Sequence, residues 1–385
     1  MKLVIQPLRI DLSPKQVFEK ISSFPPCFWL DSSQEHSRYG TWSYLGFLPF
    51  LNLRFQKGRF FISGVEERVL ETFKPLKVLR EYFSRYQFFD GEEFPFFSGG
   101  VGYFSYELGR YFERVPFTRR DDLGIDELRL DFYQFMLGYH HPEGAWYLLG
   151  LEGDDLPFAS SDWLNQLWKG LEREQEEQEE YFSERVESVF DYSSYCRAVQ
   201  RAREYIIKGD IYQVNLTQRF YARYQGDAVQ LYCRLRRFNP GSYSGLLLYP
   251  DFAVLSSSPE LFLRVRGKEV ITRPIKGTRA RGKTPQEDEQ SKMELLKSEK
   301  DLAELAMIVD LERNDLGRVC NYGSVEVLGY PELESYSRVH HLVATVRGEL
   351  AEGKDIFDLL KATFPGGSIT GAPKIRAMEI IDELE

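Results

Sequence analysis

Residues 241–278 read "GSYSGLLLYPDFAVLSSSPELFLRVRGKEVITRPIKGT". Short runs of strand-forming composition, punctuated by turn residues, make this stretch three strands meeting at tight turns. Just before it, "IYQVNLTQRFYARY" (211–224) alternates with period two and reads as a further strand. Upstream again, "DYSSYCRAVQRAREYIIKGD" (191–210) opens with capping residues, carries Val199, Ala202 and Ile206 at helical spacing and stops at Gly209. Downstream, "EDEQSKMELLKSEKDLAELAMIVDLERNDLGRV" (287–319) is one or two helices closed by Gly317. Blocks of strands followed by helices, without strict alternation, predict an α+β fold with antiparallel sheets.

The composition of the whole chain agrees. Its 385 residues are 43% hydrophobic and 15% aromatic, ample for a large core, and carry a formal net charge of -10. That charge argues against nucleic acid or an anionic membrane as the main partner. No apolar run reaches the length of a membrane span, and the start lacks a signal-peptide pattern. Cys27, Cys196, Cys233 and Cys320 lie far apart, with neither metal-ligand spacing nor disulfide density. A cytoplasmic location is the expectation. Residues 1–165 are rich in aromatics and short strand-like runs, such as "GTWSYLGFLPFLNLRF". Residues 166–190 hold a charge-dense connector, and 191–385 form the better signposted second part.

Several stretches carry candidate chemistry. Glu304 has Met307, Ile308 and Leu311 at helical offsets, which puts a carboxylate on an apolar stripe, and Asp301 precedes it by one turn. Spacing alone leaves a magnesium ligand and a structural ion pair both open. Glu260 follows the stiff Pro259, and alternation sets it opposite Leu261 and Leu263, where a general acid or an exposed strand residue would sit. In "FPGGSITGAPKIRAMEIIDELE" (364–385), Gly366, Gly367 and Gly371 free the backbone ahead of a helix start at Pro373. The Lys-Ser/Thr of a nucleotide phosphate loop is replaced by Ala372-Pro373, so a carboxylate is the better anion for this loop. Finally, Arg273, Lys276, Arg279, Arg281 and Lys283 fall within eleven residues. They read either as a solvated basic loop or as a site for an anionic small molecule with Lys276 as nucleophile.

Taken in order, "SSSPE", "PIKGT", "DLAELAMIVDLERNDLGRV", "VHHLVATV" and "FPGGSITGAPKIRAMEIIDELE" resemble the chorismate-utilising enzymes, from about Tyr195 to the last residue. "SGGVGYFSYELGRYFE" and "WLDSSQEHSRYGTWSYLGFLPF" resemble the amino-terminal region of the ammonia-using members. The resemblance implies antiparallel sheets packed as a sandwich with flanking helices, in two intertwined subdomains. A lysine within Pro-Ile-Lys-Gly-Thr resembles the aminodeoxychorismate synthase component I branch, of para-aminobenzoate and folate biosynthesis; anthranilate synthase component I has alanine there. In that branch the lysine attacks C2 of chorismate and expels the C4 hydroxyl with allylic shift. Ammonia then adds at C4 and the lysine leaves, giving 4-amino-4-deoxychorismate.

The resemblance gives Lys276 the role of nucleophile, Glu260 that of general acid and His341 a place near the leaving hydroxyl. Arg273 and Arg279 are expected to favour a neutral Lys276. Glu304 matches a magnesium ligand, with Asp301 at a second acidic position. Gly277 and Thr278 match the substrate wall, and Ser368 and Gly371 the carboxylate-binding loop. Gln213 stands where the water-activating members place a lysine, which argues for ammonia as nucleophile. No cysteine sits in a glycine-flanked amidotransferase turn, so ammonia is expected from a separate glutaminase subunit. Tryptophan is a candidate ligand of "WLDSS…WSYLG". The chain stops at Glu385 within an apolar helical pattern, whereas relatives continue with strands that supply an Arg, a Tyr, a Lys and further magnesium-binding glutamates. The alternatives are anthranilate synthase component I and an inactive, truncated paralogue that binds only ligand or partner.

Overall fold

The computed structural model describes residues 2–32, 40–86, 96–116, 118, 121–173, 181–182 and 185–385. Two compact units emerge, each assembled from three separate segments. The first takes Met1–Ser105, Ile125–Phe182 and Arg223–Pro259; the second takes Tyr106–Gly124, Ser183–Ala222 and Glu260–Glu385. The compositional division at 166–190 keeps chain order, and the units do not. Residues 106–124 belong with the carboxy-terminal half, and 223–259 with the amino-terminal half. Strand pairing is the reason: Tyr243–Leu248 lies antiparallel against Cys27–Asp31, more than two hundred residues earlier. Of the expected connector, residues 174–180 and 183–184 lie outside the described residues.

Two large antiparallel sheets make up most of the first unit. The larger runs in the order Lys2–Leu8, Ala145–Glu152, Phe135–His140, Trp42–Gly46, Cys27–Asp31, Tyr243–Leu248, Ala253–Ser258. Both of its faces are buried, because alternate residues feed different cores. Trp29, Leu148 and Leu246 join Phe18, Trp163 and Tyr232 of the flanking helices. Their neighbours Phe28, Leu149 and Leu247 join Val101 and Tyr133 of the smaller sheet. The rings of Phe28 and Tyr133 meet edge-on at 4.7 Å. This is the expected sandwich with flanking helices.

The second unit packs helices Pro285–Leu296, Glu299–Gly317 and Ile356–Thr363 on one face of a five-stranded antiparallel sheet. Leu295, Leu305, Val309 and Leu359 meet Val270, Leu342, Ala344 and Val346 there. Ser298 caps the long helix by accepting from the Asp301 amide, and Thr284 caps its predecessor. Val339–Glu349 is the central strand. Along one edge it pairs first with Ile275–Ala280 and then with Glu269–Arg273, either side of Pro274.

Three sequence expectations change. Residues 241–278 hold five strands rather than three, starting at Tyr243, Ala253, Leu261, Glu269 and Ile275. The chain crosses from one unit to the other at Pro259–Glu260, and Pro274 breaks what reads as one run. "IYQVNLTQRFYARY" is not one strand. Gln213–Val214 pairs with Gly371–Ala372, and Phe220–Tyr221 with Glu187–Ser188, so its alternation serves different partners. The helix Tyr192–Lys208 does end at a left-handed Gly209, but it buries Ala198, Ala202 and Tyr205. Val199 and Ile206 lie one position off that face and are exposed. Tyr205 supplies the apolar body that an aliphatic scan overlooks.

Among the described residues no helix is long and apolar enough to cross a membrane. One enclosed charge in the first unit is Asp31. It accepts from Arg236 Nε at 2.6 Å and from Tyr232 Oη and Ser43 Oγ at 3.2 Å each. Arg236→Leu would strand this carboxylate, at a cost of about 3–5 kcal/mol. A thermal scan should show a clearly lower melting temperature, whereas an unchanged one would mean that water reaches Asp31.

Candidate active site

The second unit gathers most of the expected site residues around Lys276. Its strand is regular up to the lysine and then bulges. Lys276 lies opposite Leu342, yet Thr278 lies opposite His341, only one residue further along the partner. Gly277 absorbs the extra residue at φ +80°, in the left-handed region. A Cβ there would come within 3.0 Å of Asp301 Cβ and 3.1 Å of Leu295 Cδ1. The glycine is therefore required twice, by its backbone angle and by the two helices pressed against it. The stiff residues before the lysine serve the same end, since the Pro274 carbonyl still accepts from Ala344 N at 3.2 Å.

The Lys276 side chain is 13% exposed. It donates to the Ser368 carbonyl at 3.0 Å and lies 3.9 Å from Glu304 Oε1. Asn215 Nδ2 donates to the same carbonyl at 3.0 Å, and Gln213 Nε2 donates to the same Glu304 oxygen at 2.9 Å. Lys276, Glu304, Ser368 and Gln213 thus form one connected group. Gln213 is held by its pairing with Ala372, and Gly371 makes that possible: at φ +148°, a Cβ would lie 2.2 Å from the Gln213 carbonyl. Glu260 belongs beside this group, its Oε1 accepting from Ile275 N at 3.3 Å.

Other expectations separate. His341 Nδ1 lies 2.9 Å from Thr278 Oγ1, beyond the bulge, and burial pushes its imidazole below the usual histidine value. The adjacent His340 is fully buried between Asp288 and Ser335, at 2.9 and 2.8 Å, which is a structural role. Asp301 does not join Glu304; its carboxylate is taken by Arg279 Nη2 at 2.8 Å. The basic run is neutralised from within. Arg273 pairs with Glu334 at 2.6 Å, and Arg281 grips Asp288 with bonds of 2.7 and 2.9 Å. The repulsion expected from Arg273 and Arg279 at Lys276 is offset by these carboxylates. In the glycine loop, Ile369 N and Thr370 N bond to the carbonyls of Gly366 and Gly367, and Gly367 packs against Leu311. Two amides expected for a ligand are thus engaged by the loop itself.

Magnesium finds an incomplete set of donors here. Among the described residues no group of three or more His, Cys, Asp or Glu side chains is placed to hold a metal ion. Glu304 offers one carboxylate, and Asp301 is committed to Arg279. The residues present do not by themselves fit a divalent cation. The tryptophan expectation falls on a stretch of which residues 33–39 lie outside the described residues.

Sequence reading missed Glu312. It sits in the long helix, 7% exposed, and accepts from Thr272 Oγ1 at 2.7 Å. Its signal was available: Glu312 follows Leu305 and Ile308 on the helix face that turns inward. It also missed the buried pair of Asp315 with Lys374, whose ammonium donates to the Thr363 carbonyl at 2.7 Å as well.

The chain and its fold have counterparts among known proteins. Residues 25–385 match the model of the chorismate binding enzyme family, and the chain belongs to that family. It is therefore a chorismate-utilising enzyme. Aminodeoxychorismate synthase component 1 of Bacillus subtilis is 38% identical, over 91% of this chain and 76% of that protein. Anthranilate synthase component 1 of Thermus thermophilus is 39% identical, over 97% and 80%. The crystal structure of anthranilate synthase component I from Streptococcus pneumoniae superposes with a TM-score of 0.80 at 28% identity, covering 98% of this chain and 84% of that one.

Two predictions follow from this geometry. Gly277→Ala should lower stability by about 1–3 kcal/mol and displace Lys276, seen as a lower melting temperature and lost activity. The His341 ring should titrate below 6.5 by NMR. Its folded value is the depressed one, so the unfolded chain binds more protons. The associated stability is present above about pH 6.5 and declines as pH falls through the folded value. His341→Asn should flatten that part of the stability curve.

Proposed function

We propose that this chain is a synthase component that aminates chorismate to 4-amino-4-deoxychorismate. The observation that carries the proposal is Lys276 itself, enclosed within "PIKGT" and held between the Ser368 carbonyl and Glu304. A surface lysine needs no such setting. The branch that forms anthranilate resembles this one but has alanine at the position.

The chemistry assigns each group a step. Lys276 must first lose a proton, and Glu304, 3.9 Å away, is the carboxylate placed to take it. The free amine adds to C2 of the ring as the double bond shifts and the C4–O bond breaks. Hydroxide leaves poorly, so Glu260 donates a proton and water departs. Glu260 is suited to this because it sits against the amide that precedes Lys276. His341, kept neutral by burial, offers the leaving oxygen a hydrogen bond without a competing charge. Ammonia then adds at C4, the double bond shifts back and the C2–N bond breaks, returning the lysine as its amine. The proton released by the new ammonium group restores Glu260.

Ammonia is proposed to come from a separate glutaminase, as the designation "component 1" of the relatives implies. Three of the four cysteines support this. Burial pushes the thiols of Cys27 and Cys320 up, and that of Cys233 to about 11, the opposite of what a nucleophilic thiol needs. Anthranilate formation is the second reading, because relatives of both kinds are equally similar, at 38% and 39% identity.

Product analysis by mass spectrometry, with chorismate and an ammonium salt, decides between them. Aminodeoxychorismate is the expected product, and glutamine should replace ammonium only when a glutaminase subunit is added. Lys276→Ala should abolish the product, and trapped wild-type protein should carry a ring-derived adduct on Lys276. Glu260→Gln should slow turnover by about 10²–10⁴-fold. Anthranilate from the wild-type chain, or unimpaired synthesis by the alanine variant, would overturn the assignment.

A further inference from the structure

The Lys276 amine is held by one backbone carbonyl, that of Ser368, to which it donates at 3.0 Å. Ser368 lies in the short turn Gly367–Ile369. Within this turn the Gly366 carbonyl accepts from Ile369 N and Thr370 Oγ1, and the Gly367 carbonyl accepts from Thr370 N. The Ser368 carbonyl accepts instead from two side chains, Lys276 and Asn215, each at 3.0 Å. Asn215 reaches it by extending a short ladder. Gln213–Val214 pairs with Gly371–Ala372, and Tyr212 N donates to the Ala372 carbonyl at 2.7 Å. One residue past the ladder, Asn215 N donates to the Thr370 carbonyl at 2.9 Å. Its side chain then takes the carbonyl two residues earlier, that of Ser368.

A carbonyl oxygen has two lone pairs and accepts near the plane of its peptide. Asn215 fills one of these directions and Lys276 the other. A neutral amide does this without placing a second charge beside the ammonium. Gln213, two residues before Asn215, donates to Glu304 Oε1 at 2.9 Å. Both groups that flank Lys276 are therefore tied to one segment, residues 213–215. We propose that Asn215 is a positioning residue for Lys276: its side-chain amide holds the Ser368 carbonyl in the orientation that fixes the lysine amine for attack. The inference rests on the assignment of Lys276 as nucleophile. It adds the residue that keeps a long side chain at one point, since an amine free to wander spends little of its time in line with the ring. Asn215 acts through Ser368, so its loss should slow the covalent step and leave chorismate binding alone.

Two measurements on the full chain test this, and one needs no substrate. In Asn215→Val, rapid-quench mass spectrometry with chorismate and no ammonium should show the ring adduct on Lys276 forming about 10–100-fold more slowly, with KM for chorismate in the complete reaction near the wild-type value. Competitive labelling with a small amine-reactive reagent, read by peptide mass spectrometry against the exposed Lys354, should move the opposite way. Lys276 should label faster than in the wild type, because an unanchored amine meets an unoriented reagent more often. A melting temperature close to that of the wild type separates this result from general loosening. Asn215→Asp keeps the shape of the side chain and loses the donor. It should slow adduct formation as well, and it serves if the valine variant folds poorly. Adduct formation at the wild-type rate in either variant, or slower labelling together with slower adduct formation in Asn215→Val, would overturn the inference. If Lys276→Ala still makes product, the nucleophile assignment fails first. If Lys276→Ala is inactive and both Asn215 variants react normally, the inference fails while that assignment stands.

Discussion

One backbone angle holds the site of the second unit together. Gly277 takes a left-handed conformation directly after Lys276 and lets the strand press against Leu295 and Asp301. From that contact the rest is fixed. The bulge sets Lys276 against Leu342 and Thr278 against His341, so lysine and histidine leave the sheet at neighbouring but unlike registers. The long helix then brings Glu304 alongside the lysine, and Arg279, just beyond the bulge, reaches Asp301 on the same helix. A side chain at position 277 would push strand and helix apart and release all of these at once.

The cations of the basic run are paired unequally. Arg273, Arg279 and Arg281 each meet an acidic side chain at hydrogen-bond distance. Lys276 instead meets a carbonyl, with the nearby Glu304 oxygen already accepting from Gln213. A charged amine in a strong ion pair is a poor nucleophile, because its lone pair carries a proton that the pair stabilises. The looser arrangement keeps the polar contacts that aim the lysine without locking it into a close ion pair.

Much of this was legible in the sequence because it is local. Pro-Ile-Lys-Gly-Thr names the enclosed lysine, the bulge glycine and the threonine in consecutive letters, and the glycine loop and Glu260 lie in equally compact strings. The antiparallel α+β class followed from short strands and capped helices. What stayed hidden depends on partners distant in sequence. Asp301 looked like a companion to Glu304 because helical spacing puts them one turn apart, but Arg279 from another strand claims it. Glu312 looked like one more acidic letter in "LERND"; its meaning comes from Thr272, forty residues earlier. The glycines of "FPGGSITG" were read as room for a ligand, whereas Gly367 and Gly371 make room for Leu311 and the Gln213 carbonyl. Val199 and Ile206 were read as the buried stripe, yet Tyr205 shifts the face by one position.

The interleaving of the units has a consequence for the chain as it is made. Strand Cys27–Asp31 leaves the ribosome more than two hundred residues ahead of its neighbour Tyr243–Leu248. At about 5–20 residues per second, that wait is roughly 10–40 s. Throughout it the first unit has one edge of its larger sheet unpaired, with Trp29 and Phe28 on either face lacking part of their cover. The second unit cannot precede it, because Tyr106–Gly124 awaits segments beginning at Glu260. The first unit therefore stays open until its last segment, ending at Pro259, has been made, and the second until later still, so the nascent protein depends on protection from aggregation during synthesis.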